Sequence, residues 1–492
     1  MLNNTPEMVE AHFGVPMSGA VLGCVNTRLD ASTIAYILGH SEARALVYDA
    51  AFAGVIEKAL VNLPESDRPT LIRVGGGGEG EGEGLEGGEG GEGSVGRPLL
   101  YESLLSGGDP SFRWKTPADE FDAISLNYTS GTTGRPKGCV MHYRGSYLTA
   151  LGNTLAFGGM ESGGRTRYLW TLPMFHCNGW NWPYTIAALG GTNVCLDRVD
   201  VESIERAIAE DGVTHLCGAP VVLGMVIEAC RNLSDSGKGE NRSIKMMVAA
   251  APPPASILRE AAEVGITVIH VYGLTEVYGP NTVCEWQDAW NDRDKEDQAA
   301  LQSRQGVRYV TQEELTVLDT ETGEPVPEET MGEVCMRGNM VFKGYHKNEE
   351  ETQRSLRDGY FRTGDLGVMC RDGYVHIRDR AKDVIISGGE NISSIEVENV
   401  MFSHDLVSAV AVVAMPHERW GEVGCAFVEV SSPVNNHEAF EAELILWCKD
   451  RLPQFAAPHK VVVCDLPKTS TGKIQKFELR DQAKEFGKSD TI

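Results

Sequence analysis

The sequence predicts an α/β protein. A large N-terminal domain of parallel α/β sheets carries a β-rich subdomain, and a small α+β domain follows it. Three observations lead there. From about 121 to 275, short β-branched and apolar runs alternate with helix-length stretches, as expected for a parallel sheet with helices on its faces. From about 305 to 378 the texture changes to short strands separated by Gly-Asp turns. The charged stretch Asp379-Arg380-Ala381-Lys382-Asp383 then precedes a segment, 384–480, with strand and helix patterns of its own. The predicted division is therefore 1–378, a connector at 379–383, and 384–492.

Taken in order, residues 75–96 form a low-complexity Gly/Glu segment. It cannot bury a core and its charges repel, so a disordered surface loop is expected. Ala123-Ile124-Ser125-Leu126-Asn127 is predicted as a strand and Gly145 to Phe157 as a helix. Further strands are expected at 194–196, 214–216, 245–248 and 267–271, with helices at 204–209, 221–231 and 254–264. In the β-rich stretch, 332–338 and 372–377 are the clearest strands.

The chain has 492 residues and a 42% apolar fraction, enough for two or three domains with sizeable cores. No stretch is long and apolar enough to cross a membrane. The first residues lack a basic region followed by an apolar run, and Lys488-Ser489-Asp490-Thr491-Ile492 is not a peroxisomal or reticulum-retention tail, so a cytoplasmic protein is expected. The net charge of -26 argues against nonspecific binding to nucleic acid or a membrane surface, although part of it lies between Glu79 and Glu92. A polyphosphate ligand would need local cations, and Lys137, Arg380 and Lys473 are candidates. The 12 cysteines include no Cys-x-x-Cys pair, which disfavours zinc and dithiol sites and fits reduced thiols.

Tyr128-Thr129-Ser130-Gly131-Thr132-Thr133-Gly134-Arg135-Pro136-Lys137-Gly138 carries the strongest chemical signal. Between a strand and a helix, its hydroxyls and backbone N–H groups can approach phosphate oxygens closely, because glycine has no Cβ. Lys137 adds a charge-assisted contact. The nucleotide P-loop is excluded by spacing, since Pro136 stands where the Gly that opens Gly-Lys-Ser/Thr is required, five residues after Gly131. A Ser/Thr/Gly-rich segment by itself is commonly an ordinary loop.

Five further segments follow in order: Tyr272-Gly273-Leu274-Thr275-Glu276, Tyr360-Phe361-Arg362-Thr363-Gly364-Asp365, Asp379-Arg380-Ala381-Lys382-Asp383, Ser387-Gly388-Gly389-Glu390-Asn391-Ile392 and Pro467-Lys468-Thr469-Ser470-Thr471-Gly472-Lys473. With the Thr129–Lys137 loop, they resemble the adenylate-forming (AMP-binding) family of acyl-CoA synthetases, firefly luciferase and nonribosomal peptide adenylation domains, across nearly the whole chain. The resemblance implies two steps. A carboxylate attacks the α-phosphorus of ATP to give acyl-AMP and pyrophosphate, and the thiol of CoA then displaces AMP. ATP, Mg²⁺ and CoA are the implied cofactor and co-substrates.

The implied roles follow residue by residue. Thr129, Ser130, Gly131, Thr132, Thr133, Gly134 and Lys137 would hold the β- and γ-phosphates. Tyr272 with Gly273 would stack on adenine, and Ala250, Ala251 and Pro252 would line its edge. Thr275 would contact the α-phosphate and Glu276 would help hold Mg²⁺, a hard cation that favours oxygen ligands. Asp365 would accept hydrogen bonds from the ribose hydroxyls, with Arg380 nearby. Lys473 would be the adenylation lysine. Lys382 would be the hinge of a mobile C-terminal domain, whose rotation brings Ser387, Gly388 and Gly389 to the pantetheine tunnel. His176, Asn178 and Trp180, within Pro173–Trp182, would border the acyl pocket, with His176 on the carboxylate side. Out of context, a lone histidine is usually structural and Trp180 is nearly as well read as a core aromatic.

The nearest resemblance is to short- to medium-chain acyl-CoA synthetases, plant acyl-activating enzymes and methylmercaptopropionate–CoA ligases; long-chain and aryl acids remain open. A homodimer is compatible with it. Three departures stand out. The chain opens at a point well inside the family's N-terminal domain, so roughly half a hundred upstream residues are expected to be missing. That motivates a competing expectation of a non-catalytic nucleotide-binding relative or an unstable fragment. Ala249 replaces a glycine common before Ala-Ala-Pro, and Phe455 is not followed by the usual lysine.

Overall fold

A computed structural model describes residues 1–75, 98–129, 135–157, 165–196, 198–237, 243–249, 253, 255–468 and 474–489. The predicted disordered loop at 75–96 falls outside them except for Gly75. Two compact units emerge. The first holds Met1–Glu314 with Arg337–Phe361, and the second Leu315–Met336 with Arg362–Ile492.

The first unit is organised by a seven-stranded sheet. Its strands run in the order Val307–Arg308, Gly279–Val283, Ile266–Leu274, Ile244–Val248, His215–Gly218, Arg167–Leu169 and Thr192–Val194. The five from Ile266–Leu274 onward are parallel, and the first two are antiparallel additions. The helices on this sheet follow from sequence periodicity. Val201–Glu210 buries Ile204, Ala207 and Ile208 and is capped by Asp200, which accepts from the Ser203 N–H at 2.8 Å. Pro220–Asp235 starts on a proline, where no intrahelical N–H is lost, and buries Leu223, Val226, Ile227 and Cys230. These side chains join Leu216, Met246 and Val248 in one core.

A second sheet of the same unit carries the candidate phosphate loop. Its order is Leu22–Cys24, Ala123–Thr129, Lys137–His142 and Gly344–Tyr345. Here the structure departs from the strand–loop–helix expectation. The loop joins two antiparallel strands, with Thr129 opposite Lys137, and the helix Tyr143–Phe157 begins only after the second. Alternation explains it, since Cys139 and Met141 are buried in a run that Pro136 and Gly138 disguise as a loop. A third, parallel sheet of Ala45–Asp49, Thr70–Val74 and Leu99–Leu100 packs with the helices Ala31–Ser41 and Ala53–Val61.

In the second unit, the long hairpin Val407–His417/Gly421–Val430 is buried on both faces. Val410 and Val412 face a core shared with the helices Ser394–Phe402 and His437–Lys449. Ala411, Val413 and Met415 face another that includes Leu479 and Ala483 of the helix Lys476–Ser489. Among the described residues no helix is long and apolar enough to cross a membrane.

Candidate active site

In the first unit, the strand Ile266–Leu274 delivers the Tyr272–Glu276 segment to the sheet's carboxyl-terminal edge. A bulge between Tyr272 and Gly273 turns the chain there. It requires glycine, because a Cβ on Gly273 would lie 1.7 Å from the Gly279 carbonyl oxygen. Thr275–Val277 forms one 3₁₀ turn, closed by Tyr278 in the left-handed region. The Tyr278 hydroxyl accepts from the His142 N–H at 2.8 Å, which ties the turn to the phosphate-loop sheet.

Glu276 is buried, 9% exposed. Its Oε1 accepts from the Tyr345 hydroxyl at 2.8 Å, and its carbonyl accepts from the Phe342 N–H at 2.8 Å. Among the described residues no cation pairs with this carboxylate. A buried carboxylate whose neighbours are neutral donors suits a hard divalent cation, which takes one or two carboxylates and completes its shell with phosphate and water oxygens. Burial, reinforced by Glu276, pushes the Tyr345 phenol and the Cys139 thiol well above their ordinary values, so both stay protonated beside it. Lys137 ends 2.7 Å from Glu351 Oε1, with its ammonium 4.5 Å over the Tyr345 ring.

The segment predicted to border the acyl pocket meets this turn. Cys177 Sγ lies 3.2 Å from Thr275 Oγ1 and 3.9 Å from His176 Nε2. Burial lifts the Cys177 thiol to about 12, so it is a neutral neighbour and not a nucleophile. From Cys177 to Asn181 every residue has positive φ, between 44° and 60°. This left-handed turn buries Asn178 and Trp180. Among the described residues the Asn178 Oδ1 has no hydrogen-bond partner, and Trp180 packs on Gly279, where a Cβ would approach its ring to 2.8 Å. The Trp180 carbonyl accepts from Asn153 Nδ2 at 2.8 Å. The first unit thus brings together His176, Asn178, Trp180, Thr275 and Glu276, with Lys137 joined to Glu276 through Tyr345.

In the second unit, Asp365 and Arg380 are cross-strand partners, Arg380 Nε lying 3.0 Å from Asp365 Oδ1. Gly388 and Gly389 are the two-residue turn of the hairpin Ile385–Ser387/Glu390–Ile392, both with positive φ as such a turn demands. Gly388 sits under the Trp420 ring, 2.8 Å from a would-be Cβ, while Gly389 faces open space. Ser387 is buried and Lys382 exposed. Asp383 is paired with Arg480. Asp379 accepts from the Ser394 hydroxyl at 3.1 Å, and Lys476 reaches both Ser394 Oγ, at 2.7 Å, and Glu398, at 2.6 Å.

Ser130, Gly131, Thr132, Thr133, Gly134, Ala250, Ala251, Pro252 and Lys473 lie outside the described residues. Sequence reasoning missed Tyr345 and Glu351, which only strand register brings to Lys137 and Glu276. It also missed the Asp379–Ser394–Lys476–Glu398 cluster, where an i, i+4 basic pair, Lys476 and Arg480, was the one available signal.

Among solved structures, ATP-bound MatB from Rhodopseudomonas palustris superposes with a TM-score of 0.80 at 25% identity, covering 98% of this chain and 88% of that one. The fold is thus that of adenylate-forming enzymes. An acetate–CoA ligase of Humulus lupulus is 47% identical, and a peroxisomal acetate/butyrate–CoA ligase of Arabidopsis thaliana 46%, each match covering 98% of this chain and 85% of the relative. Models of the AMP-binding enzyme family and of its C-terminal domain match residues 1–346 and 396–473. The chain belongs to the AMP-binding enzyme family.

Proposed function

We propose that this acid–thiol ligase activates a short-chain carboxylic acid, of the acetate-to-butyrate class, at a site built on the Tyr272–Glu276 turn. The class of reaction is ATP-dependent: acid and ATP give acyl-AMP and pyrophosphate, then CoA gives the acyl thioester and AMP. The choice of a short acid is supported by the acids named for the two plant relatives.

The observation that carries the site assignment is the buried Glu276 carboxylate, without a cationic partner among the described residues and one residue from Thr275. In this reading Thr275 meets the α-phosphate and Glu276, oriented by Tyr345, is the Mg²⁺ ligand. The ion, when bound, neutralises phosphate charge. Thr129 to Lys137 grips the departing pyrophosphate. Tyr272 and Ala250 to Pro252 hold adenine, and Asp365 with Arg380 holds the ribose. His176 sits on the carboxylate side of the acyl pocket, with Asn178 and Trp180 along its wall. Lys473 brings its ammonium to the carboxylate and α-phosphate. Both steps build charge on oxygen, so positioning and fixed cations supply most of the acceleration. Lys382 is the hinge between 1–378 and 384–492, and Ser387 to Gly389 approaches the pantetheine arm after it turns. The same reading takes a cytoplasmic location and is compatible with a homodimer.

The test is a panel of acetate, butyrate, a long-chain acid and cinnamate in CoA-dependent AMP release, with pyrophosphate exchange into ATP alongside. Acetate or butyrate should give the highest kcat/KM, and Lys473→Ala should abolish exchange. Preference for the long-chain acid or cinnamate overturns the substrate assignment. Folded protein that binds ATP yet exchanges with no acid overturns the catalytic reading.

A further inference from the structure

The Glu351 carboxylate has no part in the chemistry described above, yet it occupies Lys137, the lysine assigned to the phosphates. Lys137 Nζ donates to Glu351 Oε1 at 2.7 Å, and Glu351 Oε2 also pairs with Arg354 at 2.6 Å. The arrangement is built in, not a chance surface contact. Glu351 lies in the first turn of the helix Glu349–Ser355, capped by Asn348, whose Oδ1 accepts from the Glu351 N–H at 3.1 Å. That helix is anchored to the strand Gly344–Tyr345 by Thr352, whose hydroxyl accepts from the Tyr345 N–H at 2.9 Å. Gly344 allows the approach, since a Cβ there would stand 2.7 Å from the Thr352 methyl carbon. The same strand pairs with Lys137–His142, Tyr345 opposite Cys139. One short strand therefore sets three things at once: the helix bearing Glu351, the ring under the Lys137 ammonium and the hydroxyl on Glu276.

We propose that Glu351 is the resting counter-ion of Lys137 and that the triphosphate of ATP binds by displacing it, the Tyr345 ring supporting the ammonium as it changes partner. Glu351 is thus a positioning residue that sets nucleotide affinity. It keeps the loop cation ordered in the absence of nucleotide, at the expense of binding strength. The acid is suited to the task. Burial pushes its carboxyl up, but the hydrogen bonds from Lys137 and Arg354 outweigh that and hold it below its ordinary value, so it stays charged at neutral pH. Lys137 is 28% exposed and Glu351 17%, so the pair is neither sealed in the core nor freely solvated. Such a pair exchanges one anionic partner for another at little net cost. The inference rests on the assignment of Lys137 to the β- and γ-phosphates.

The experiment is calorimetric titration of the full chain with MgATP and, separately, AMP, without carboxylate or CoA. The proteins are wild type, Glu351→Gln, Glu351→Ala, Lys137→Met and the double variant Lys137→Met/Glu351→Gln. Removing the competing carboxylate should tighten MgATP about three- to five-fold, the effect of one partly exposed ion pair. AMP, which lacks the phosphates that Lys137 meets, should bind all five proteins alike. The double variant should bind MgATP as weakly as Lys137→Met. Damage to the fold would weaken MgATP and AMP together, so tightening cannot be mistaken for it. Unchanged or weaker MgATP binding by both Glu351 variants, with Lys137→Met still impaired, overturns the displacement proposal alone. The same holds if the double variant is tightened over Lys137→Met, because the carboxylate would then act through space and not through the lysine. Full MgATP affinity in Lys137→Met overturns the phosphate-loop assignment itself.

Discussion

Lys137 in the first unit and Lys476 in the second each end on a glutamate at hydrogen-bond distance, 2.7 Å to Glu351 and 2.6 Å to Glu398. Their surroundings differ in the number of alternatives. Lys137 has one carboxylate and the face of an aromatic ring. Lys476 also donates to Ser394 Oγ, and that serine's hydroxyl is bonded to Asp379 at 3.1 Å. Burial raises both Asp379 and Glu398 above their ordinary values, and Lys476 works against that rise in each. Removing Lys476 would strand two acids, whereas removing Lys137 strands one acid that keeps Arg354. The first lysine is arranged to change partners and the second to keep them. A lysine–glutamate distance alone does not separate a ligand-binding group from a structural one; the count of groups that depend on the cation does.

Acid should also loosen the first unit more than the second, and this is the largest effect expected. His12, His215 and His270 in the first unit are buried, and burial depresses each to about 4. Their unfolded forms take up protons below about 6.5, so the stability they contribute at neutral pH is lost as pH falls from about 6.5 toward 4, at roughly 2–3 kcal/mol per histidine. In the second unit Asp379 and Glu398 are raised, so the folded state binds protons more readily than the unfolded one. Their contribution grows as pH falls through the window between ordinary and raised values. Hydrogen exchange read by segment at pH 7, 5.5 and 4.5 should show the first unit opening ahead of the second. Simultaneous opening would break the contrast.

Lys476→Met comes next. It should destabilise the second unit by about 3 kcal/mol, because two partly buried acids lose their cation. Urea unfolding checks it, and Glu398→Gln in the same chain should restore part of the loss. Tyr345→Phe should cost about 1–2 kcal/mol by removing the hydroxyl donor to Glu276 Oε1, and should raise the Mg²⁺ concentration needed to retain bound ATP in a thermal-shift titration. The smallest stability effect belongs to Lys137→Met, less than about 1 kcal/mol in the same urea experiment, since the pair it breaks is partly exposed. A loss as large as that of Lys476→Met would erase the distinction between the two lysines.

Much of this architecture was legible in the sequence. The parallel strands from 215 to 271 and their helices appear as an alternation of periods, because a strand buried on both faces is continuously apolar and a surface helix is not. The hairpin strand Lys137–His142 was hidden because Pro136 and Gly138 imitate a loop, while the alternation of buried Cys139 and Met141 about Val140 is too short to set a period. Thr275 and Glu276 stand together because one turn holds them, a local fact that a motif records. Tyr345 and Glu351 were illegible for the converse reason. They reach Glu276 and Lys137 from 69 and 214 positions away, through a strand of two residues whose register no local pattern reveals.

The left-handed turn Cys177–Asn181 separates two properties that are usually taken together. Its residues Cys177, Asn178, Trp180 and Asn181 are 7% exposed or less, as well covered as any core. Each nevertheless holds a backbone conformation that costs an L-residue about 1–2 kcal/mol, with Asn and Gly the most tolerant. Contacts with neighbours must outweigh that cost at every one of them. When those neighbours loosen, the segment has its own reason to leave, so a well-covered stretch becomes one of the first to let deuterium in. Coverage there measures how much the rest of the protein insists on a shape that these five residues would not choose.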